Sequence, residues 1–274
     1  MVSVVTGLGF DAKGVAAEFV KARRSAGSFT KYPGTPPPDL DSAYRCQDEA
    51  ITLWDDTIAG WKVGWIPEPL SEKFGAQRLV GPIFNRGVLR SNGGAPVNVP
   101  VFSEGFAAIE AEFVFQLSKD APANVAEWTA ETARRFVKTM FVGIEIASSP
   151  LANINDFGPA VVASDFGNNA GLLLGAEVVD WQTRSLESMS CETRIDGAVV
   201  GRGNAAAVSG GPLTALAFAL RCNARRGRPL RAGEFISTGA ATGVHSIARG
   251  QTAEAIFTGI GSLRCIAVPM APVR

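Results

Sequence analysis

Ala107-Ala108-Ile109-Glu110-Ala111-Glu112-Phe113-Val114-Phe115-Gln116-Leu117 is the stretch on which the reading of this chain turns. Taken as a strand over Ala108–Gln116, it puts Glu110, Glu112 and Val114 on one face and Ala111, Phe113 and Phe115 on the other. Two carboxylates ~7 Å apart on one strand face repel each other unless a cation sits between them. A hard divalent ion, Mg²⁺ or Mn²⁺, suits such oxygen donors. A lone E-x-E has a plainer reading as a solvated strand face. The pair therefore needs support from elsewhere in the chain.

That support comes from Phe141-Val142-Gly143-Ile144-Glu145-Ile146-Ala147. As a strand it places Val142, Ile144 and Ile146 on one face, and Glu145 between the small Gly143 and Ala147 on the other. One carboxylate flanked by small residues leaves room for an ion and a ligand; a buried Glu–Arg pair is the alternative. In Gly60-Trp61-Lys62-Val63-Gly64-Trp65, the alternation sets Lys62 apart from two tryptophans. A lysine short of solvent can have its pKa lowered and move protons, or it can be a structural lysine with its head in water. The loop Ser237-Thr238-Gly239-Ala240-Ala241-Thr242-Gly243 offers amides and hydroxyls to a carboxylate or phosphate. Gly201-Arg202-Gly203-Asn204-Ala205-Ala206 matches G-x-G-x-x-A formally. It follows a hairpin late in the chain and lacks the acidic ribose ligand, so it is not a dinucleotide fingerprint.

Outward from these strands the chain divides in two. Residues 1–57 form a helical and loop appendage, with helices expected over 11–26 and Leu40–Thr52, the second capped near Asp41 or Ser42. Residues 58–274 form a β-rich catalytic domain of short strands, with Asp196-Gly197 as a hairpin turn. Helices are expected at Val125–Lys138 and Pro212–Ala224, the latter stopped near Gly227. Without regular βαβ repetition the class is α+β.

Composition narrows the chemistry. Of 274 residues, 46% are hydrophobic and 19% charged, and the formal net charge is zero with no basic stripe, so nucleic acid is not expected as a partner. No apolar run approaches the ~20 residues that cross a bilayer. The start, MVSVVTGLGFDAKG, has no basic segment leading a long apolar one, so no leader is expected. Four dispersed cysteines (Cys46, Cys191, Cys222, Cys265) and one histidine (His245) argue for a cytoplasmic protein without a His/Cys zinc site. Without a G-x-S-x-G elbow, the chemistry falls to carboxylates, a lysine and a hard metal.

G-W-K-V-G, E-A-E, G-I-E-I-A-S-S, S-D-F-G-N-N-A-G-L-L-L-G, S-T-G-A-A-T-G and F-T-G-I-G-S-L occur in this order. Together they resemble the 2-keto-4-pentenoate hydratase and 4-oxalocrotonate decarboxylase branch of the fumarylacetoacetate hydrolase superfamily, over about Leu40 to Val268. The resemblance implies a mixed β-roll with a small N-terminal helical part. It implies metal ligands at Glu110, Glu112 and Glu145, a catalytic lysine at Lys62 and a catalytic acidic residue at Asp165, from the family's A-D-N stretch. It puts Thr238 to Gly243 near the substrate, with Thr238, Gly239 and Thr242 as contacts. His245, two residues beyond, is placed to touch a substrate carboxylate.

The implied function is a Mg²⁺- or Mn²⁺-dependent lyase that hydrates a 2-hydroxydienoate or 2-oxo-alkenoate to a 4-hydroxy-2-oxo acid, as a homo-oligomer. The alternatives are a 4-oxalocrotonate-type decarboxylase, an acylpyruvate C–C hydrolase and a non-catalytic partner subunit. The hydrolases use a His-Glu pair in the N-terminal lid, and here no histidine precedes His245. Two stretches depart from the pattern: Gln77-Arg78-Leu79-Val80-Gly81-Pro82 replaces an acidic P-D-F-G-like stretch, and Ser149-Pro150 replaces S-R. Arg78 is thus either a cation for a second substrate carboxylate or a surface loop residue.

Overall fold

Two amphipathic helices open the computed structural model, which describes residues 9–125 and 127–273. Residues 1–8, part of the segment read for a leader, and Ala126, inside the helix expected over Val125–Lys138, lie outside the described residues. Helix α1 (Ala12–Ser25) starts where the Asp11 carboxylate accepts the Gly14 amide. Helix α2 (Leu40–Leu53) is capped by Asp39, which accepts from the Ser42 amide at 2.7 Å. The cap lies ahead of the expected Asp41 or Ser42, because Asp39 keeps the extended backbone that lets its side chain fold back. The inward faces of these helices, with Phe19, Val20, Cys46 and Ala50, pack on Leu151, Ile154, Val161 and Phe166.

The chain continues through β1 (Ile58–Trp65), α3 (Leu70–Phe74), β2 (Arg78–Phe84), β3 (Val88–Arg90), β4 (Val97–Val101) and β5 (Phe106–Leu117). Then come α4 (Ala130–Arg134), β6 (Val137–Ser149), α5 (Pro159–Ser164), β7 (Asn169–Glu177), β8 (Ser190–Ile195) and β9 (Ala198–Asn204). It closes with α6 (Pro212–Arg225), β10 (Phe235–Ala240), β11 (His245–Ser246), β12 (Thr252–Phe257) and β13 (Gly261–Pro269). One sheet has the order β2-β1-β10-β5-β6-β7-β3, with β11 added beside β5; the other has the order β4-β13-β12-β8-β9. Three residues, 85–87, join β2 to β3 at the two ends of the first sheet, so that sheet curls into a roll. The architecture is the mixed α+β roll that the motifs imply.

The alternation of β5 decides what goes where. Ile109, Ala111, Phe113 and Phe115 join Trp61, Val63, Val142 and Ile144 in the main core, against Phe257 and Leu263 of the second sheet and Leu216 and Leu220 of α6. Burying a side chain such as Phe113 contributes about 1.5–3 kcal/mol. The opposite face turns into the roll, where Ile83, Val114, Leu172, Leu174 and Phe235 form a small apolar plug. The charged residues lie beside this plug.

Two expectations change. Residues 78–84, where a surface loop carrying Arg78 is one of the two readings, form β2. It sits at the end of the strand order, where a proline without an N–H is tolerated. The helix expected over Val125–Lys138 shrinks to α4, because pairing with β5 draws Val137–Met140 into β6.

Candidate active site

Glu110 and Glu145 stand directly opposite each other across β5 and β6, and Glu112 opposes Gly143. One ligand oxygen from each of the three carboxylates lies within 4.8 Å of the others. All three are buried, Glu112 and Glu145 completely. Like charges opposed in a ladder destabilise it, and loss of water strengthens the repulsion. Burial, then the charge of Glu145, pushes the Glu110 carboxyl up to about 7. Burial, then Glu145 and Glu110, holds Glu112 well above the usual carboxylate range.

One oxygen of Glu112 is fixed. Its Oε2 accepts from Ser237 Oγ at 2.5 Å and from the Gly239 amide at 2.9 Å. The register of β10 slips between Ser237 and Ala240. Gly239, at φ +117°, takes the backbone conformation that this turn needs. One oxygen of Glu145 is fixed too: Oε1 accepts from Asn169 Nδ2 at 3.0 Å and lies 3.2 Å from Lys62 Nζ. The other oxygens, Glu112 Oε1 and Glu145 Oε2, are buried without a hydrogen-bond partner. Buried polar atoms are rarely left so. Three carboxylates, two of them with a partnerless oxygen, make an all-oxygen donor set that fits a hard divalent cation.

Lys62 is 4% exposed, and its Nζ reaches Asn168 Oδ1 at 3.4 Å as well as Glu145. Of the two readings of this lysine, the lowered pKa is not the one its neighbours favour. Burial pulls the value down, but Glu145, Glu110 and Glu112 outweigh it, and the ammonium is favoured. The turn carrying Asn168 comes close because Gly81 has no side chain; a Cβ there would collide with the Phe166 carbonyl.

A cavity of about 470 Å³ opens beside the cluster, a size typical of small-ligand sites. Lys62, Glu110, Asn168, Thr238 and Gly239 line its polar part, and Ile66, Leu70, Leu79, Val162 and Val208 its apolar wall. Arg78 lines it too. It is a buried residue of β2 rather than an exposed loop residue, only 5% accessible. Its guanidinium donates to the Ser209 carbonyl and lies over the Trp65 ring, 5.0 Å from the centroid.

The remaining expected contacts lie differently. The Thr238 hydroxyl donates to the Phe113 carbonyl at 2.7 Å, and the Gly239 amide serves Glu112, so both line the cavity with these donors already engaged. Thr242 and His245 do not line it. His245 Nε2 lies 3.0 Å from the Thr242 carbonyl, and the Thr242 hydroxyl lies 2.8 Å from that of Thr193. Beside His245, the alternate residue Val244 faces the cavity instead. Asp165 is outside it as well. Its carboxylate takes two bonds from Arg23, at 2.6 and 2.9 Å, and one from Ser149 Oγ at 2.6 Å. Asp165 therefore ties α1 to the turn that carries Asn168 and Asn169, and its placement does not fit a catalytic role. Those two asparagines touch Lys62 and Glu145, and motif spacing alone did not single them out, because Asn in such a stretch reads as a turn former.

A curled mixed sheet holding a buried three-carboxylate cluster and a lysine beside a cavity defines a metal-site enzyme class. The chain belongs to the fumarylacetoacetate hydrolase family: the family model for the C-terminal part of fumarylacetoacetate (FAA) hydrolase matches residues 83–267. A 2-keto-4-pentenoate hydratase of Paraburkholderia xenovorans is 26% identical over 233 residues, covering 84% of each chain. A 4-oxalocrotonate decarboxylase of a Pseudomonas species is 29% identical over 157 residues, 57% of this chain and 58% of the relative. The solved 4-oxalocrotonate decarboxylase from Pseudomonas putida G7, complexed with magnesium and adipate, superposes with a TM-score of 0.78 at 21% identity, over 94% of this chain and 97% of that one.

Proposed function

We propose that this chain is a divalent-metal-dependent lyase that hydrates a 2-hydroxydienoate or 2-oxo-alkenoate to a 4-hydroxy-2-oxo acid. The observation that carries the reading is the pair of orphaned buried oxygens, Glu112 Oε1 and Glu145 Oε2, in a cluster that adjoins both Lys62 and the cavity. Glu110, Glu112 and Glu145 are assigned as the residues that would hold Mg²⁺ or Mn²⁺. Such an ion supplies Lewis acidity toward a carboxylate and the oxygen next to it.

The chain's own groups supply the rest. Lys62 Nζ, held between Glu145 Oε1 and Asn168 Oδ1, is placed to deliver a proton to the dienol carbon and take one back. Asn169 fixes Glu145, while Ser237 and Gly239 fix Glu112, so the carboxylates keep their geometry through the reaction. The apolar wall of Leu70, Leu79, Val162 and Val208 holds the substrate tail and limits bulk water. Water then adds to the conjugated alkene, giving the 4-hydroxy-2-oxo acid. Four free cysteines and the absence of a helix able to span a bilayer among the described residues are compatible with a cytosolic enzyme. We assign it as a homo-oligomer on the family resemblance.

The second reading is decarboxylation of a 4-oxalocrotonate-type diacid, and the buried Arg78 in the cavity wall favours it. C–C hydrolysis has less support, since the only histidine, His245, is bonded to Thr242 away from the cavity. The test offers 2-hydroxypenta-2,4-dienoate and 2-oxohex-3-enedioate to the Mg²⁺-loaded protein and follows ultraviolet absorbance and CO₂ release. Turnover of the monoacid without CO₂ supports hydration. CO₂ from the diacid reverses the order of the two readings. Turnover of neither rejects both.

A further inference from the structure

A second, smaller pocket of about 170 Å³ adjoins the turn that carries Asn168 and Asn169. Trp54, Phe84, Leu89, Ile146, Phe166 and Met270 make its wall largely apolar. Three of these are rings tilted or edge-on to one another. Phe84 and Phe166 lie 4.9 Å apart at 71°, and Trp54 lies 5.9 and 6.1 Å from them. Such a cluster offers ring faces and edges to a fourth ring. An apolar cavity of about 150 Å³ is already large enough for benzene. The buried polar groups at the pocket are engaged elsewhere. Arg23 uses its three guanidinium nitrogens on Asp165, Asn169 and Ser148. The Asp56 carboxylate accepts from the Thr57 and Arg86 amides, and Asn169 Nδ2 donates to Glu145. A charged ligand would lose its water there without gaining a partner. The pocket therefore suits an uncharged molecule with one aromatic ring, entering past the exposed Arg86 and Val273.

The pocket wall is also part of a strained turn. Phe166, Gly167 and Asn168 take φ of 54°, 64° and 55°, the left-handed region that a residue as bulky as Phe seldom occupies. Such backbone persists where its surroundings hold it. Here the Phe166 ring is held by Trp54, Phe84 and the Arg23 guanidinium. The same turn sets Asn168 against Lys62, and the next residue, Asn169, against Glu145. Asn168 lines the active-site cavity and Asn169 the pocket. The turn is thus shared between the two spaces.

We infer that this pocket is a second ligand site, for an uncharged molecule with one aromatic ring, and that its occupation is coupled to the carboxylate cluster through the Phe166–Asn169 turn. The coupling rests on the metal assignment of Glu110, Glu112 and Glu145; the site itself does not. A ring seated on Phe166 holds the turn in the geometry that metal binding also needs, so each ligand should tighten the other by the same factor. The test follows binding of 4-fluorobenzyl alcohol by fluorine NMR, without and with saturating Mg²⁺. Wild type should bind it with a Kd of about 1 mM or tighter, and Mg²⁺ should tighten this at least about threefold. Ala170→Leu and Leu89→Phe add bulk to the pocket wall, and each should weaken binding at least about tenfold; if one fails to fold, the other decides. Phe166→Asn places a residue tolerant of the left-handed region in the turn. It should fold and bind Mg²⁺, while the effect of Mg²⁺ on the ring falls below about 1.5-fold. A wild-type Kd weaker than about 1 mM overturns the site, as does binding unchanged in the filled variants. The same Kd with and without Mg²⁺ overturns the coupling, as does an effect of Mg²⁺ that survives in Phe166→Asn. Failure of wild type to bind Mg²⁺ removes the carboxylate-cluster reading and the coupling with it, while the Mg²⁺-free titration still decides the site.

Discussion

Two networks of buried charge lie close together in the roll, and they are built in opposite ways. In the Arg23–Asp165 pair, hydrogen bonds reach both carboxylate oxygens and all three guanidinium nitrogens. Arg23 also sits over the Phe166 ring, 4.9 Å from its centroid. The Glu110–Glu112–Glu145 cluster is as deeply buried but sets three carboxylates against one lysine and leaves two oxygens without partners. A closed pair fixes structure, and its cost appears only when one partner is removed. An open cluster of like charges destabilises the fold around it unless a counter-charge joins it. The networks are also joined, since Arg23 Nη1 donates to the Asn169 carbonyl and Asn169 holds Glu145. The N-terminal helix thereby positions a residue of the site without touching the cavity.

The largest effect should come from the open cluster. Lys62→Met should fold and still bind metal but lose ~10²- to 10⁴-fold in turnover. A loss under about threefold at saturating metal would make Lys62 structural. The closed pair should respond in stability instead. Asp165→Ala strands a buried guanidinium, and unfolding in urea should show a loss of about 3–5 kcal/mol, with Mn²⁺ affinity of the folded protein falling less than in Glu112→Gln, since Asp165 reaches Glu145 only through Arg23 and Asn169. A loss below about 1 kcal/mol would deny the pair its anchoring role.

A smaller effect concerns pH. The folded-state pKa of Glu110, about 7, lies above its unfolded value near 4.5. Ionisation therefore costs more in the folded state. Stability of the metal-free protein should be greatest below about pH 4.5, as far as this group is concerned, and decline as pH rises towards 7. Saturating Mg²⁺ should flatten that slope, and the same slope with and without metal would contradict the cluster as an ion site. The smallest effect is expected at His245. Bonded to Thr242 and turned from the cavity, it should tolerate His245→Asn with kcat and KM within about threefold of wild type. A fall in kcat like that of Lys62→Met would revive the hydrolase chemistry.

The alternation of β5 and β6 was legible because a strand has a period of two and the apolar residues there keep it strictly. Asp196-Gly197 was legible for a local reason: both residues take positive φ, at 48° and 82°, as a tight hairpin requires. β2 was not, because Gly81-Pro82 looks like a break. Its strand character comes from pairing along β1, and Gly81 answers to a distant carbonyl. Whether Arg78 was exposed could not be read from spacing, since Ser209 and Trp65 meet it only in the folded roll. Asp165 matched a motif, but its partner Arg23 lies 142 residues away in α1. The roles of Asn168 and Asn169 depend on a turn whose approach to Lys62 is a tertiary matter.

The most direct test is a Mn²⁺ titration of wild type and Glu112→Gln, with urea unfolding of both metal-free proteins alongside. Glu112→Gln removes one charge from a cluster that already has too many. Affinity for Mn²⁺ should fall at least about tenfold, the scale seen when even outer partners of metal ligands are lost. The metal-free variant should be as stable as wild type or more so, the opposite of Asp165→Ala. Unchanged Mn²⁺ affinity in Glu112→Gln, together with a large loss of metal-free stability, would show that the carboxylate is structural and contradict the metal site.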